Sequence, residues 1–200
     1  IRAEKFLANS NPEKDFAMIL NAIENIKKIR PKKLVLISTA DVYACPDAVD
    51  ETTVIDETAL QPYGKNRYYL EKWIADNSGD YHIVRLPGLF GDNLKKNFIY
   101  DLIHIVPSML DKEKYRALSQ TSSLIKDGYT LGDNGFYQCI CDNPGGRLLL
   151  KKDFERIGFS ALNFTDSRAV FQFYKLSYLW EHLCMIMAND LRLVNLAVEP

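Results

Sequence analysis

The sequence predicts an α/β fold: a parallel sheet flanked by helices, followed by a smaller α+β lobe. Three observations carry this. Apolar residues recur at helical spacing between Phe16 and Ile29, and a second helical stretch follows Pro62. Leu34-Val35-Leu36-Ile37 is apolar on both faces, as a central strand of a covered parallel sheet is, and residues 81–86 form a second strand. The order helix, strand, loop, helix, strand is the rhythm of parallel α/β units.

Each element has its own reason. The chain enters a helical pattern almost at once. Asn11 offers a capping side chain, Pro12 sits where no N–H is needed, and Glu13 puts an acid in the first turn. Phe16, Ile19, Leu20, Ile23, Ile26 and Ile29 follow, Lys27, Lys28 and Arg30 gather at the end, and Pro31 stops the helix. Residues 44–61 are polar and acidic and read as a surface loop. Pro62 precedes a helix over 63–75, ended by Asn77-Ser78-Gly79-Asp80, and Pro87-Gly88 breaks the strand that comes next. Beyond Asp92 the spacing predicts a helix over 98–106, a mixed polar stretch over 111–147 with an aromatic-flanked turn at 129–137, and a helix over 148–157. A strand over 170–174, a last helix capped by Ser177 and a final strand over 191–196 complete the chain. Residues 1–92 are thus expected to carry the sheet. Residues 93–200 are expected to be mostly a lobe laid over its ligand edge, with elements returning to the sheet.

Composition narrows the partners. Lys and Arg number 25 against 26 Asp and Glu, so neither nucleic acid nor a membrane surface is expected. No stretch is long and apolar enough to span a bilayer. Four cysteines are too few for a disulfide scaffold, Cys139-Ile140-Cys141 has the wrong spacing for a zinc knuckle, and no His pair completes a ligand set. No metal is expected, and His82, His104 and His182 read as structural. Trp73 and Trp180 read as packing residues. Reduced thiols and the lack of a leader point to the cytoplasm.

Ligands of parallel sheets sit beyond the carboxyl ends of the strands. Here those ends are Ser38-Thr39-Ala40-Asp41 and Pro87-Gly88-Leu89-Phe90-Gly91. Tyr63 stands in the first turn of the second helix, and Arg67, four residues on, shares its face. A guanidinium beside a phenol favours the phenolate and lowers the phenol's pKa. A Tyr so tuned exchanges a proton with an alcohol or carbonyl, and the Thr39 hydroxyl can bond the same oxygen. Such proton exchange accompanies hydride transfer, for which a nicotinamide is needed. The plainer alternative is a Tyr–Arg stack on a helix surface.

Residues 34–43, Leu-Val-Leu-Ile-Ser-Thr-Ala-Asp-Val-Tyr, resemble a strand signature of the extended short-chain dehydrogenase/reductase family, the NAD-dependent epimerases and dehydratases of nucleotide sugars. Pro62-Tyr63-Gly64-Lys65-Asn66-Arg67, with Leu70-Glu71 after it, resembles that family's Tyr-x-x-x-Lys helix, and Glu57 ahead of it fits as well. Arg85-Leu86-Pro87-Gly88-Leu89-Phe90-Gly91 resembles its next strand and cofactor-side turn. The resemblance implies a Rossmann-like fold, with residues 1–92 the C-terminal part of a dinucleotide-binding domain and residues 93–200 mostly a substrate-binding lobe. It implies Thr39, Tyr63 and Arg67 as catalytic residues. It places Ser38, Tyr63, Arg67, Pro87 and Gly88 at an NAD or NADP cofactor, and Asp41, Asn97 and Arg168 at a sugar-nucleotide substrate. It further implies a homodimer built from the two long helices.

Three departures accompany the resemblance. Arg67 stands where the family has Lys. A literal Tyr-x-x-x-Lys does occur at Tyr68 and Lys72, but five residues along a helix is about 140° round from Tyr63. Ala40-Asp41 stands where the dehydratases have Asp-Glu. No glycine-rich phosphate loop occurs, and we expect this chain to be a piece of a longer protein whose front carries it. The leading expectation is therefore an NAD(P)-dependent oxidoreductase or epimerase acting on a sugar or nucleotide sugar. The alternatives are a non-catalytic dinucleotide-binding regulator or scaffold on the same fold and, more distantly, a reductase of a non-sugar carbonyl.

Overall fold

The structure, a computed structural model, describes residues 5–94, 98–164, 166, 168 and 170–197. In chain order its first elements are α1 (Lys5–Ser10), α2 (Pro12–Ile29), β1 (Leu34–Thr39), α3 (Pro62–Asn77), β2 (Tyr81–Leu86) and β3 (Gly88–Phe90). Then come α4 (Phe98–His104), β4 (Met109–Leu110), α5 (Lys112–Thr121), α6 (Ser123–Gly128), β5 (Tyr129–Leu131), β6 (Tyr137–Cys139) and α7 (Pro144–Arg156). The chain closes with β7 (Phe173–Lys175), α8 (Leu179–Ala188) and β8 (Leu193–Asn195). It divides into two compact units, Ile1–Leu89 with Gln172–Pro200, and Phe90–Phe171.

The first unit is a parallel sheet in the order β1-β2-β8, flanked by helices, and is consistent with a Rossmann-like fold. Its register runs from Leu34↔Tyr81 to Thr39↔Leu86 and from Ile83↔Leu193 to Arg85↔Asn195. Strand alternation sends Leu34, Leu36 and Tyr81 to one face, against Ile19 and Ile23 of α2 and Leu70 and Ile74 of α3. Val35, Val84, Leu86 and Val194 pack on the other, with Ile186 and Leu183 of α8 and Tyr174. Helix α2 starts as the sequence predicts: the Asn11 side chain accepts from the Lys14 N–H, and Pro12 follows. It ends at Arg30 in the left-handed region, whose N–H donates to the Ile26 carbonyl.

Three expectations change. The apolar run predicted β1 as a central strand. Among the described residues β1 is the edge and β2 the centre, and Ile37 is 44% exposed. Ser177 lies in a 3-10 turn, Leu176–Tyr178, and α8 begins beyond it without a side-chain cap. Trp180 is 72% exposed rather than packed, since α8 turns Leu183 and Ile186 to the core instead.

The second unit packs Val106, Leu110, Ile125, Tyr129, Leu150, Phe154 and Phe159 around a small antiparallel sheet, β4-β6-β5. The predicted aromatic-flanked turn is the β5–β6 hairpin, with Gly135 at φ 80° in the left-handed region. The polar stretch before it holds α5 and α6. Their caps are Asp111, accepting from the Lys114 N–H, and Ser122, accepting from the Ile125 N–H. Helix α7 starts at Pro144, four residues ahead of its apolar pattern, because Asn143 accepts from the Gly146 N–H.

Candidate active site

Pro62 opens α3 and sets Tyr63 in its first turn, where the Tyr63 N–H donates to Asn9 Oδ1 of α1 at 2.8 Å. The Arg67 guanidinium carbon lies 4.0 Å from the Tyr63 ring centre, the stack that their spacing predicts. Arg67 is buried, and its Nη1 is ion-paired to the buried Asp15 of α2. Asp15 Oδ2 also accepts from Asn66 Nδ2 at 2.8 Å. Thr39 ends β1. Its hydroxyl donates to Asp41 Oδ2 and accepts from the Asp41 N–H, both at 3.2 Å, and so caps the 3-10 turn Ala40–Val42. Asp41 Oδ1 in turn pairs with Lys5.

Helix α3 docks on that turn through Gly64. A Cβ at Gly64 would stand 1.9 Å from the Asp41 carbonyl oxygen and 2.8 Å from its carbon, so only glycine permits the approach. Ala is ordinarily better than Gly inside a helix by about 1 kcal/mol. Here the clash is with backbone, and Gly64→Ala is expected to destabilise the protein by about 1–3 kcal/mol. Urea unfolding measures this, and equal or greater stability in the variant would contradict the close approach.

The electrostatics correct one expectation. Arg67 does pull the Tyr63 phenol towards ionisation, but burial outweighs it, and the pKa is raised above its ordinary value rather than lowered. Asp41 and Asp15 add to the rise and Lys5 opposes it. Tyr63 is thus held as the neutral phenol, a proton donor.

The other predicted residues fall in different places. Ser38 is buried and donates to Glu71. Pro87 follows β2 directly beside the end of β1, since Leu86 pairs with Thr39. Gly88 is exposed at the strand's end, with the Phe173 ring 3.0 Å from where a Cβ would sit. Arg168 belongs to the second unit, is almost fully exposed and pairs with Asp166 at 2.8 Å. Asn97 lies outside the described residues. Lys72 of the literal Tyr-x-x-x-Lys pairs with Glu57, so that lysine is committed elsewhere.

No family model and no curated protein matches the chain. Among solved structures it is similar to a GDP-D-glycero-L-gluco-heptose synthase from Campylobacter jejuni, crystallised in the presence of NADPH. Identity is 14%, the TM-score is 0.46, and the match covers 91% of this chain and 56% of that one. The chain thus spans little more than half the length of that protein. A likeness at this level assigns neither a family nor an activity.

A buried polar network that the sequence did not announce joins α3 to the sheet. Arg85 Nε reaches both Glu71 oxygens, at 3.2 and 3.1 Å, while Nη2 reaches Oε2 at 2.6 Å and Nη1 donates to the Tyr43 hydroxyl at 2.6 Å. Tyr43 donates to the Asp50 carbonyl at 2.8 Å and accepts from Asn195 Nδ2 at 3.0 Å. Burial alone would lower the Arg85 pKa, but the bonds and charge of Glu71 raise it. The network ties β1, α3, β2 and β8 together beneath the strand ends.

For a nicotinamide cofactor the fit is partial. Tyr63, Pro87 and Gly88 border the carboxyl ends of the strands, where such a group would lie. Ser38 and Arg67 do not fit the roles the resemblance gives them, since both are buried and already bonded to carboxylates. No helix among the described residues is long and apolar enough to cross a membrane.

Proposed function

We propose that this chain is the catalytic part of an NAD(P)-dependent oxidoreductase or epimerase acting on a sugar or nucleotide sugar, with Tyr63 and Thr39 sharing the substrate oxygen. The observation that supports it is the docking of α3 on the turn after β1: Gly64 lies against the Asp41 carbonyl, so the first turn of α3, which carries Tyr63, sits on the 3-10 turn that Thr39 caps. A nicotinamide, when bound, supplies or accepts the hydride. The chain's own part is proton transfer. Tyr63 gives its proton to a carbonyl oxygen as that oxygen gains charge, and the Thr39 hydroxyl, released from Asp41, donates to the same oxygen. Arg67 stabilises the phenolate that remains and is held over the ring by Asp15. In this reading residues 1–92 are the C-terminal part of a dinucleotide-binding domain, residues 93–200 are mostly a substrate-binding lobe, and α2 and α3 pair two copies of a cytoplasmic protein.

Tyr63→Phe in the full-length protein is expected to lower turnover of a sugar nucleotide by about 10²–10⁴-fold, the range for a lost general acid. Turnover like that of the wild type rejects the assignment. One observation favours a second reading, a dinucleotide-binding regulator without catalysis: the guanidinium in the family's Lys position is engaged by Asp15. Cofactor fluorescence separates the two, because both bind dinucleotide and only the enzyme oxidises or reduces it when offered a sugar nucleotide.

A further inference from the structure

At the opposite end of β2 from Pro87, two stretches far apart in sequence meet. Asp80 precedes β2 and His82 is its second residue, and positions two apart in an extended chain share a face. Opposite them is the turn between α8 and β8, where Asp190 holds φ 50°, a left-handed conformation that Asp tolerates. The turn is fixed by the Leu191 N–H donating to the Ile186 carbonyl at 3.0 Å.

That turn delivers two groups at once. The Leu191 carbonyl lies 2.8 Å from His82 Nδ1, and a carbonyl can only accept, so Nδ1 carries the hydrogen. In the neutral ring this leaves Nε2 as the lone-pair nitrogen, the arrangement by which a backbone carbonyl orients a metal-binding imidazole. His82 is fully buried, and Nε2 has no hydrogen-bond partner among the described residues. Asp80 Oδ1 stands 3.7 Å from it, beyond hydrogen-bond distance. One ligand atom each from Asp80, His82 and Asp190 lies within 4.8 Å of the others.

The place also attracts positive charge. Arg192 bridges the two acids, with Nη1 3.4 Å from Asp80 Oδ1 and Nη2 3.2 Å from Asp190 Oδ1. Nη1 also reaches the Gly79 and Tyr81 carbonyls, both at 3.3 Å, and the guanidinium lies 5.4 Å from the Tyr81 ring centre. Every contact is long and the side chain is partly exposed, so a divalent ion can displace Arg192 from the two acids. Lys33 takes the other Asp80 oxygen at 3.3 Å and leaves Oδ1 to face His82.

We infer that Asp80, His82 and Asp190 form a binding site for a divalent first-row transition ion of the zinc class. One imidazole and two carboxylates are a donor set such ions accept. The ion would displace Arg192 and clamp the start of β2 to the α8–β8 turn, a structural role away from the candidate active site. The test uses Co2+ as the probe on the untagged chain. One equivalent should bind with ligand-field absorption and be displaced by Zn2+. Asp190→Asn, at an exposed position, should weaken binding about tenfold or more, and Arg192→Ala should tighten it. No saturable uptake, uptake indifferent to Asp190→Asn, or thiolate-to-cobalt charge-transfer bands would overturn the site, the last by placing the ion on cysteines.

Discussion

Replacing Glu71 with Ala is expected to cost about 3–5 kcal/mol of stability, the range for removing one partner of a buried ion pair. The reason is the isolation of Arg85. Its guanidinium is buried and directs three contacts at Glu71, and Tyr43 alone cannot balance the charge. Ser38 loses its acceptor in the same step. Both tryptophans, Trp73 and Trp180, lie in the unit that carries this network, so tryptophan fluorescence during urea unfolding reports on it without the second unit. Glu71→Met with Arg85→Met should recover much of the loss, because an apolar pair of similar volume leaves no charge to solvate. Recovery should be incomplete, since Ser38 then lacks its acceptor and Tyr43 loses one of its two donors. A cost below about 1 kcal/mol for Glu71→Ala would mean that Arg85 reaches water, contrary to its burial.

The network marks the boundary of what local pattern reveals. Helix α2 was legible because its signals are contiguous: Asn11 and Pro12 at one end, a regular apolar stripe, Pro31 at the other. The Tyr63–Arg67 stack was legible because one helical turn fixes it. The partners of those residues were not. Asp15 meets Arg67 only because α2 and α3 lie side by side on one sheet face, and Glu71 meets Arg85 only because α3 crosses β2. Periodicity names a buried face without saying which charge on the neighbouring element will meet it. The expected fall in the Tyr63 pKa failed for the same reason, since spacing gives the cation and only packing gives the burial. Helices α5 and α6 escaped because they are short and polar. The signals that could have found them were their caps, Asp111 and Ser122, rather than any apolar stripe. The Asp80, His82 and Asp190 group depends on β8 returning beside β2, and ligand spacing along the chain cannot register that.

Asp15→Ala should likewise cost about 3–5 kcal/mol, because the buried Arg67 is left without its counter-ion. Asp15→Asn is the more informative change, as it keeps the shape and an acceptor for Asn66 while removing the charge. Its effect on Tyr63 has a definite sign. The Asp15 charge raises the phenol's pKa and Arg67 lowers it, so Asp15→Asn is expected to bring the Tyr63 pKa down. The phenolate absorbance of each protein, less that of the same protein carrying Tyr63→Phe, isolates this one titration. The linkage to stability follows from the direction of the shift. A phenol raised in the folded state contributes stability that is fully present below the ordinary phenol pKa of about 10 and is lost as pH rises through the higher folded value. The Tyr63-dependent loss of stability at alkaline pH should therefore be smaller in Asp15→Asn than in the wild type, even though the variant is less stable near neutrality. A Tyr63 titration that stays put or moves upward in Asp15→Asn would mean that the Asp15 carboxylate does not act on the phenol. Burial and Arg67 would then set its protonation, with no part for Asp15.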